Sequence, residues 1–204
     1  AFDPTLCGRR IQLLAAMGGT LELREWMHIR GPALSAASIE ISGPYHDPTR
    51  AVTADDFSVF TFLGSPSGIP QIDLSYLTVS NGANLIDGGG LRFPFEPGSV
   101  MSQIDDVVIR DCRATDGGGI SLNSDGGSRL ELWRCTLSGN IANERGGGIF
   151  LGGDPSNDSP TLRLDDSTII RNRANFGGGI MNTQTTLWGP WERMVLHNCT
   201  ITRN

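Results

Sequence analysis

Adjacent aspartates are the groups in this chain that most readily support chemistry. They form three pairs, Asp55-Asp56, Asp105-Asp106 and Asp165-Asp166. Carboxylates gathered on one face of a fold bind Ca²⁺, and a basic residue beside them removes a proton from an acidic sugar. This combination would make the chain a polysaccharide lyase.

One stretch of the chain concentrates the groups that a lyase needs. The carboxylates would be Asp105, Asp106, Asp111 and Asp116, and the base would be Arg110 or Arg113. Neighbouring residues on a strand point to opposite faces, however, so an Asp-Asp pair is a poor chelate unless it lies at a turn. An Asp-Asp pair directly before an apolar strand more often marks a corner. We therefore expect no enzyme, and a β-helix polysaccharide lyase or hydrolase is our second alternative.

Other residue types give weaker signals for catalysis or metal binding. His28, His46 and His197 are far apart and form no spacing motif, and loop 152–158 lacks the nonapeptide repetition of calcium-binding β-rolls. All 16 basic residues are arginine, which excludes Schiff-base chemistry and a P-loop lysine. The sequence predicts no catalytic residue, no metal site and no cofactor.

The cysteines are predicted to be mostly buried thiols. Aligning the apolar residues places Cys112 and Cys135 at one position of successive coils, about 4.8 Å apart. Parallel side chains at that distance rarely have the torsion of a disulfide. Cys199 lies two coils beyond Cys135, which is too far for a bond. We expect these three to stack as free thiols, and Cys7, alone near the start, to be the one that pairs elsewhere.

Two tryptophans are candidate ligand contacts. Trp188 and Trp191 interrupt the last segment between coils. Tryptophans in a loop stack on sugar rings or on a partner protein. The simpler alternative is a loop that folds over the side of the molecule.

The elements that would position these groups repeat along the chain. Gly-Gly-Gly followed by an apolar residue recurs at intervals of 29, 29 and 31 residues, at Gly88–Leu91, Gly117–Ile120, Gly146–Ile149 and Gly177–Ile180. Between the glycines, apolar residues fall at relative positions 0, 2 and 7, and a small or apolar residue falls at 5. The copies are Leu130–Asn140, Leu162–Asn172 and Met194–Asn204, with degenerate copies at Ile72–Val79 and Val107–Ala114.

This spacing predicts an all-β fold. Steps of two indicate strands, and the step of three indicates a corner. A fixed period with short strands is typical of a single-stranded parallel β-helix, here of roughly six or seven coils of about 30 residues. The predicted inward positions are Leu130, Leu132, Leu137, Ile149, Leu162, Leu164, Ile169, Ile180, Leu196 and Ile201.

Glycine and asparagine have structural roles in this prediction. The triplets allow positive φ and close approach of successive coils. The turn glycines are Gly88, Gly89, Gly90, Gly117, Gly118, Gly119, Gly146, Gly147, Gly148, Gly177, Gly178 and Gly179. Asn140, Asn172 and Asn204 share one register, so we expect them to stack as a ladder of side-chain amides.

The repeat resembles those of right-handed β-helix surface proteins. The shared features are the pattern L-x-L-x-x-[CS]-T-[LI]-x-x-N and the GGG-[IL] that follows it. Such repeats occur in secreted bacterial proteins with CSLREA-type and choice-of-anchor regions and in chlamydial polymorphic outer-membrane proteins. The start, from Ile11-Gln-Leu13 to Ile39-Glu-Ile41, is similar to the entry coils of that family. The resemblance implies a right-handed parallel β-helix and a bacterial protein that is secreted or lies at the cell surface, and it carries no catalytic motif.

Composition fits one elongated domain, 1–204, with entry coils at 1–43 and glycine-type repeats at 72–204. Of 204 residues, 38% are apolar and 27 are glycine. No run of 18 apolar residues occurs, so we expect no membrane span. The net charge is −6 and the arginines are scattered, which argues against nucleic acid as a partner.

The last repeat predicts self-association. Met194–Asn204 completes the strands of a coil, and its apolar edge would be covered by an entry coil of another copy. The self-association edge would contain Ile11, Leu13, Leu21, Leu23, Met194, Leu196, Cys199 and Ile201. Head-to-tail contact of this kind builds a filament, and a capped or truncated monomer is the alternative.

These observations favour a secreted, non-enzymatic structural protein of the cell surface or matrix that binds itself. The first alternative is an adhesin or carbohydrate-binding passenger domain that contacts a cell-surface glycan or protein.

Overall fold

The chain forms parallel strands joined by tight corners. The computed structural model describes residues 9–12, 20–23, 27–31, 39–44, 47, 49–64, 71–94, 100–123, 127–153, 160–184 and 194–204, and these contain no helix. In chain order the strands are β1 (Arg9–Gln12), β2 (Leu21–Leu23), β3 (Met27–Arg30), β4 (Ile39–Ser42), β5 (Phe60–Phe62), β6 (Ile72–Ser75), β7 (Thr78–Ser80), β8 (Ala83–Asp87), β9 (Leu91–Phe93), β10 (Met101–Asp105), β11 (Val108–Arg110), β12 (Arg113–Asp116), β13 (Ile120–Asn123), β14 (Arg129–Trp133), β15 (Thr136–Ser138), β16 (Ile141–Arg145), β17 (Ile149–Gly152), β18 (Thr161–Asp165), β19 (Thr168–Ile170), β20 (Ile180–Asn182), β21 (Met194–His197) and β22 (Thr200–Thr202).

The strands of the coils form four parallel sheets. Sheet 1 has the order β3-β6-β10-β14-β18-β21, and sheet 2 has the order β1-β4-β7-β11-β15-β19-β22. Sheet 3 has the order β8-β12-β16, and sheet 4 has the order β2-β5-β9-β13-β17-β20. One coil therefore runs β10, β11, β12 and β13 before the next begins at β14. This arrangement confirms the predicted parallel β-solenoid.

The predicted number of coils is too high. The structure contains about four full turns rather than six or seven. Within the described residues, sheet 2 contains seven strands and sheet 3 contains three. The remaining strands belong to turns that the described residues complete only in part.

The core is a narrow apolar column inside the coils. Alternation along each strand places every second side chain inward, and parallel pairing stacks Leu132 opposite Leu164. The predicted inward positions that are fully buried are Leu130, Leu132, Leu137, Ile149, Leu162, Leu164 and Ile169. Ile180 is half-buried. Leu196 and Ile201 keep the inward register but are 41% and 44% exposed, because they lie in the outermost described coil, which has a coil on one side only.

Residues in the left-handed conformation form the corners. The corner after the first strand of a coil is formed by Tyr76, Asp106, Arg134, Asp166 or Asn198, with φ between 50° and 56°. The corner after the second strand is formed by Asn81, Asp111, Gly139, Arg171 or Arg203. Left-handed backbone is unusual for tyrosine and arginine. Hydrogen bonds between coils hold it, as where Asp106 N donates to Trp133 O at 3.0 Å.

The first glycine of each triplet makes the third corner, with φ between 60° and 64°. The middle glycine has a different role, since it lies against the backbone of the next coil. A Cβ atom on Gly147 would lie 2.4 Å from the carbonyl oxygen of Gly178 and 2.5 Å from that of Arg173. Glycine is therefore required at the first position of the triplet by the backbone conformation, and at the middle position by the lack of space for a Cβ atom.

The three asparagines of the repeat lie above one another, with Asn140 and Asn172 buried and Asn204 exposed in the outermost described coil. Asn140 Nδ2 donates to Asn172 Oδ1 at 2.9 Å, and Asn172 Nδ2 donates to Asn204 Oδ1 at 3.0 Å. Each of these oxygens also accepts a backbone N–H, as where Asn140 N donates to Asn172 Oδ1. The ladder therefore satisfies backbone groups that the corner turns away from the sheets.

One predicted alignment is wrong, and it changes the position of a cysteine. Ile109 pairs with Leu137 and Thr136 N donates to Val107 O, so Val107 and not Cys112 lies at the level of Cys135. Cys112 instead occupies the asparagine register, where its N–H donates to Asn140 Oδ1 at 3.1 Å. The polar Ser102, in a position that is leucine in the next two coils, concealed the true register, which is shifted by five residues.

The predicted contact between the thiols of Cys112 and Cys135 is therefore wrong. Cys112, Cys135 and Cys199 are nevertheless free, the first two buried and the third half-exposed. Burial raises the pKa of Cys112 and of Cys135 to about 12, so both remain protonated at neutral pH. Cys7 lies outside the described residues.

Candidate ligand-binding groove

The outer face of sheet 1 presents polar and aromatic side chains on neighbouring strands. Alternation turns the side chains of Gln103 and Asp105 outward from β10, and those of Glu131 and Trp133 outward from β14. Register places Asp105 directly opposite Trp133 and Gln103 opposite Glu131. The strands therefore present two neighbouring rows of functional groups on a rigid sheet.

A cavity of about 470 Å³ lies at one margin of this face, where sheet 1 turns into sheet 2. We call this cavity the groove, and it is lined by Arg30, Ser75, Tyr76, Gln103, Asp105, Trp133 and Arg134. Tyr76 and Arg134 belong to the left-handed corner, which directs them beside the strand residues. The groove combines two aromatic rings with a carboxylate, an amide and two guanidinium groups.

Each aromatic ring of the groove carries an arginine on one face. The Arg30 guanidinium lies 5.1 Å from the centre of the Tyr76 ring, and that of Arg163 lies 5.4 Å from the Trp133 ring. Both rings are half-buried. The Trp133 Nε1–H is enclosed and has no acceptor within the described part of the chain. A buried donor without a partner costs free energy, so packing alone does not account for a tryptophan here.

Polar side chains in and beside the groove hold one another in fixed positions. Arg134 binds Asp106 through two hydrogen bonds of 3.0 and 2.9 Å, and its Nη2 lies 3.7 Å from Asp105. Gln103 Nε2 donates to Asp105 Oδ2 at 2.9 Å. Such contacts orient donors and acceptors before a ligand arrives, which reduces the entropy lost on binding.

The surroundings of Asp105 disfavour the ionised form of its carboxyl group. Desolvation is the largest influence and raises the pKa of its carboxyl group, and the carboxylates of Asp106 and Asp73 act in the same direction. The hydrogen bond from Gln103 and the charge of Arg134 offset part of this effect. Perturbed carboxyl groups in a cavity are candidate functional groups.

We expect Asp105→Asn to stabilise the protein at neutral pH. A raised pKa in the folded state means that the ionised form disfavours folding, so removing the charge helps wherever Asp105 is ionised. The advantage should disappear as the pH falls below the ordinary aspartate pKa of about 3.9, where Asp105 is protonated in both states. Thermal melts of both proteins at about pH 7 and about pH 3 measure the difference.

Asp106→Asn is the matched control for this experiment. It removes the carboxylate that binds Arg134 through two hydrogen bonds, so it should not stabilise the protein at either pH. An Asp105→Asn protein that melts below the parent at neutral pH would show that the charge of Asp105 favours folding.

The structure separates the carboxylates of the lyase hypothesis. Asp105 and Asp106 lie at the first corner, while Asp111 lies at the second, beside Arg110. Asp116 lies at the end of sheet 3, where Arg145 binds it through two hydrogen bonds of 2.9 and 2.6 Å. The described residues contain no group of three or more His, Cys, Asp or Glu side chains that could hold a metal ion.

Several of the predicted contact residues cannot be placed. Trp188, Trp191, Leu13 and His46 lie outside the described residues, and for Ile11 only the backbone of β1 is described. His28 and His197 lie at opposite ends of sheet 1, each within 3.2 Å of an aspartate. The residues of the predicted edge belong to different sheets: Leu21 and Leu23 to sheet 4, Met194 and Leu196 to sheet 1, and Ile201 to sheet 2.

Of the groove residues only Asp105 was singled out in the sequence, as a lyase carboxylate, and the others were missed. The correct register aligns Ser102–Cys112 with Leu130–Asn140, so that Gln103 and Asp105 stand beside Glu131 and Trp133. A tryptophan at an outward position of a repeat is the signal that would have drawn attention to this face. The incorrect alignment did not place Gln103 and Asp105 beside Glu131 and Trp133.

Comparisons with family models, curated proteins and solved structures give no match to this chain. Within the described residues, no helix has the length and apolar character that are needed to cross a membrane. The arrangement of the groove is therefore the basis for assigning a function.

Proposed function

We propose that this protein is a glycan-binding β-solenoid. The observation that carries the proposal is the presence of two half-exposed aromatic rings, Tyr76 and Trp133, in one polar groove with Asp105, Gln103 and Arg134. Sugar rings have an apolar face of C–H groups and a rim of hydroxyls. Aromatic rings complement the face, and side-chain amides, carboxylates and guanidinium groups complement the rim.

Two other classes of ligand fit the groove less well. A peptide that binds a sheet adds a strand at an exposed edge, but β6, β10 and β14 each have a neighbour on both sides. A nucleic acid requires a basic surface for its phosphates. Here Arg134 already binds Asp106, and the whole chain carries a net charge of −6.

Binding without cleavage is the favoured form of this activity. Glycoside hydrolysis needs two carboxyl groups on either side of the bond that breaks. Asp106 is engaged by Arg134 through two hydrogen bonds, and Glu131 on the neighbouring strand is engaged by Arg129. This leaves Asp105 as the one carboxylate among the described residues that line the groove. A bound glycan should therefore be recovered intact.

Trp133→Ala should abolish glycan binding. Aromatic anchors at the centre of an interface contribute most of the affinity, so we expect a loss of at least about tenfold. An array of neutral and acidic glycans identifies a ligand for the parent protein, and titration calorimetry then compares the variants. Thr161→Ala is the matched control, because Thr161 faces outward on sheet 1 but does not line the groove.

Circular dichroism checks that the Trp133→Ala variant is folded. A folded Trp133→Ala protein that binds the ligand as tightly as the parent would show that the groove is not the binding site. No binding of any glycan by the parent would overturn the proposal itself.

A location outside the cell agrees with this function. The resemblance of the repeat to bacterial surface β-helix proteins supports a secreted or surface-attached protein. We therefore place the protein with the adhesin or carbohydrate-binding alternative rather than with purely structural proteins.

Head-to-tail self-association stays a prediction. In the last described coil Leu196 and Ile201 are 41% and 44% exposed, and Met194 and Cys199 are packed against the core with part of their surface accessible. An axial contact between copies would cover these side chains and would leave the outer face of sheet 1 accessible.

A further inference from the structure

A second cavity adjoins the groove on the outer face of sheet 1. It has a volume of about 240 Å³ and is lined by Gln71, Met101, Ser102, Gln103, Arg129 and Glu131. Gln103 lines both cavities, so the two meet at its side chain. Together they extend along β10 from Met101 to Asp105, a distance of about 13 Å at the rise of a β-strand.

Gln103 is held firmly between the two cavities. Its backbone N–H donates to Asp73 Oδ1 at 3.0 Å, and its side-chain amide donates to Asp105 Oδ2 at 2.9 Å. A side chain fixed in this way can contact the ligand in both cavities without closing either.

The charges along both cavities are already balanced. Arg129 Nε donates to Glu131 Oε1 at 2.7 Å in the second cavity, and Arg134 binds Asp106 in the first. Arg30 lies over the Tyr76 ring. The carboxylates of Asp73 and Asp105 lie on the same face and would repel an anion. The face therefore suits a ligand without charge.

We infer that the ligand is a linear chain of neutral sugars that lies along β10 and occupies both cavities. This inference rests on the proposed glycan binding and adds the class, minimum length and direction of the ligand. One sugar ring is too short to reach from Asp105 to Met101, so the binding unit is at least a disaccharide. The chain crosses the sheet parallel to its strands, perpendicular to the axis of the solenoid.

The second cavity contains side chains suited to hold the next sugar. Met101 is 43% exposed and offers a flexible apolar surface, while Glu131 and Arg129 offer an acceptor and donors beside it. Their pairing fixes the positions of both polar groups. The first cavity, with Tyr76 and Trp133, holds the sugar at the other end.

The test is a length series of neutral oligosaccharides, from monosaccharide to hexasaccharide, of the sugar that the array identifies. We use titration calorimetry with the intact protein and with the double variant Met101→Ala/Glu131→Ala. The parent should bind the disaccharide or trisaccharide at least about tenfold more tightly than the monosaccharide. The double variant should lose this gain and keep the affinity for the monosaccharide, while Thr161→Ala should behave as the parent.

Each contrary result has a distinct meaning. Equal affinity for all lengths, with no effect of the double variant, would overturn the two-cavity inference and leave glycan binding in the groove intact. Tighter binding of an oligogalacturonate than of every neutral oligosaccharide would overturn the assignment of a neutral ligand. No binding of any sugar by the folded parent would overturn the proposed function together with this inference.

Discussion

Leu164→Asp should unfold the coils around it. Leu164 is fully buried in the apolar column and stacks opposite Leu132 in the preceding coil. An aspartate at this position would either be ionised without a partner or be protonated with an unsatisfied hydroxyl. Both states cost several kcal/mol, and the buried leucine contributes a further ~2–5 kcal/mol that truncation removes. We expect a loss of more than about 4 kcal/mol, which approaches the whole stability of many domains.

The matched control lies on the same strand. Thr161→Asp introduces the same side chain at an outward position of β18, where it remains solvated. This variant should change the free energy of unfolding by less than about 1 kcal/mol, as is usual for surface substitutions. Urea unfolding followed by far-UV circular dichroism measures both. If Leu164→Asp unfolds at the parent's urea concentration, the inward register assigned to β18 is wrong.

The fold could be predicted because its signals repeat. Each coil contributes the same steps of two, the same corner and the same glycine triplet, so chance matches in one copy are outweighed by the others. The inward positions Leu130, Leu132, Leu162 and Leu164 follow from this repetition and are all buried.

The groove could not be predicted for a related reason. Its residues lie at outward positions, where stacking sets no requirement and the repeats differ: Asp105, Trp133 and Asp165 follow one another in a single column. Finding them required the register of the coil that begins at Met101, and Ser102 concealed it there. A one-residue or five-residue error in register changes every lateral neighbour.

The coil count illustrates a second limit of the sequence. A strand that is visible as an alternating pattern, such as Ile39-Glu-Ile41, adds to sheet 2 whether or not the rest of its coil forms the other faces. Counting patterns therefore overestimates the number of full turns. The strands of sheet 3 are short and partly polar, as in Arg113–Asp116, and only the structure shows where that face is complete.

Gly147→Ala should be nearly as disruptive as a charge in the core, although it adds one methyl group. The added Cβ would lie 2.4 Å from the oxygen of Gly178 and 2.5 Å from that of Arg173, and both are backbone atoms of the next coil. These atoms cannot rotate away as a side chain would. Gly147 N also donates to Gly177 O at 3.2 Å, so relief of the clash would stretch hydrogen bonds between coils.

We expect Gly147→Ala to destabilise the protein by more than about 3 kcal/mol, at the upper end of the range for overpacked sites.

Gly139→Ala is the informative comparison, because Gly139 has a φ of +66° while its Cβ would meet only the flexible Asp111 carboxylate within 3 Å. That variant should lose about 1 kcal/mol through backbone strain alone. Urea unfolding of the two variants separates the requirement for spacing from that for conformation. If Gly139→Ala proves the more destabilising, the close approach of coils at Gly147 costs less than backbone strain at a corner.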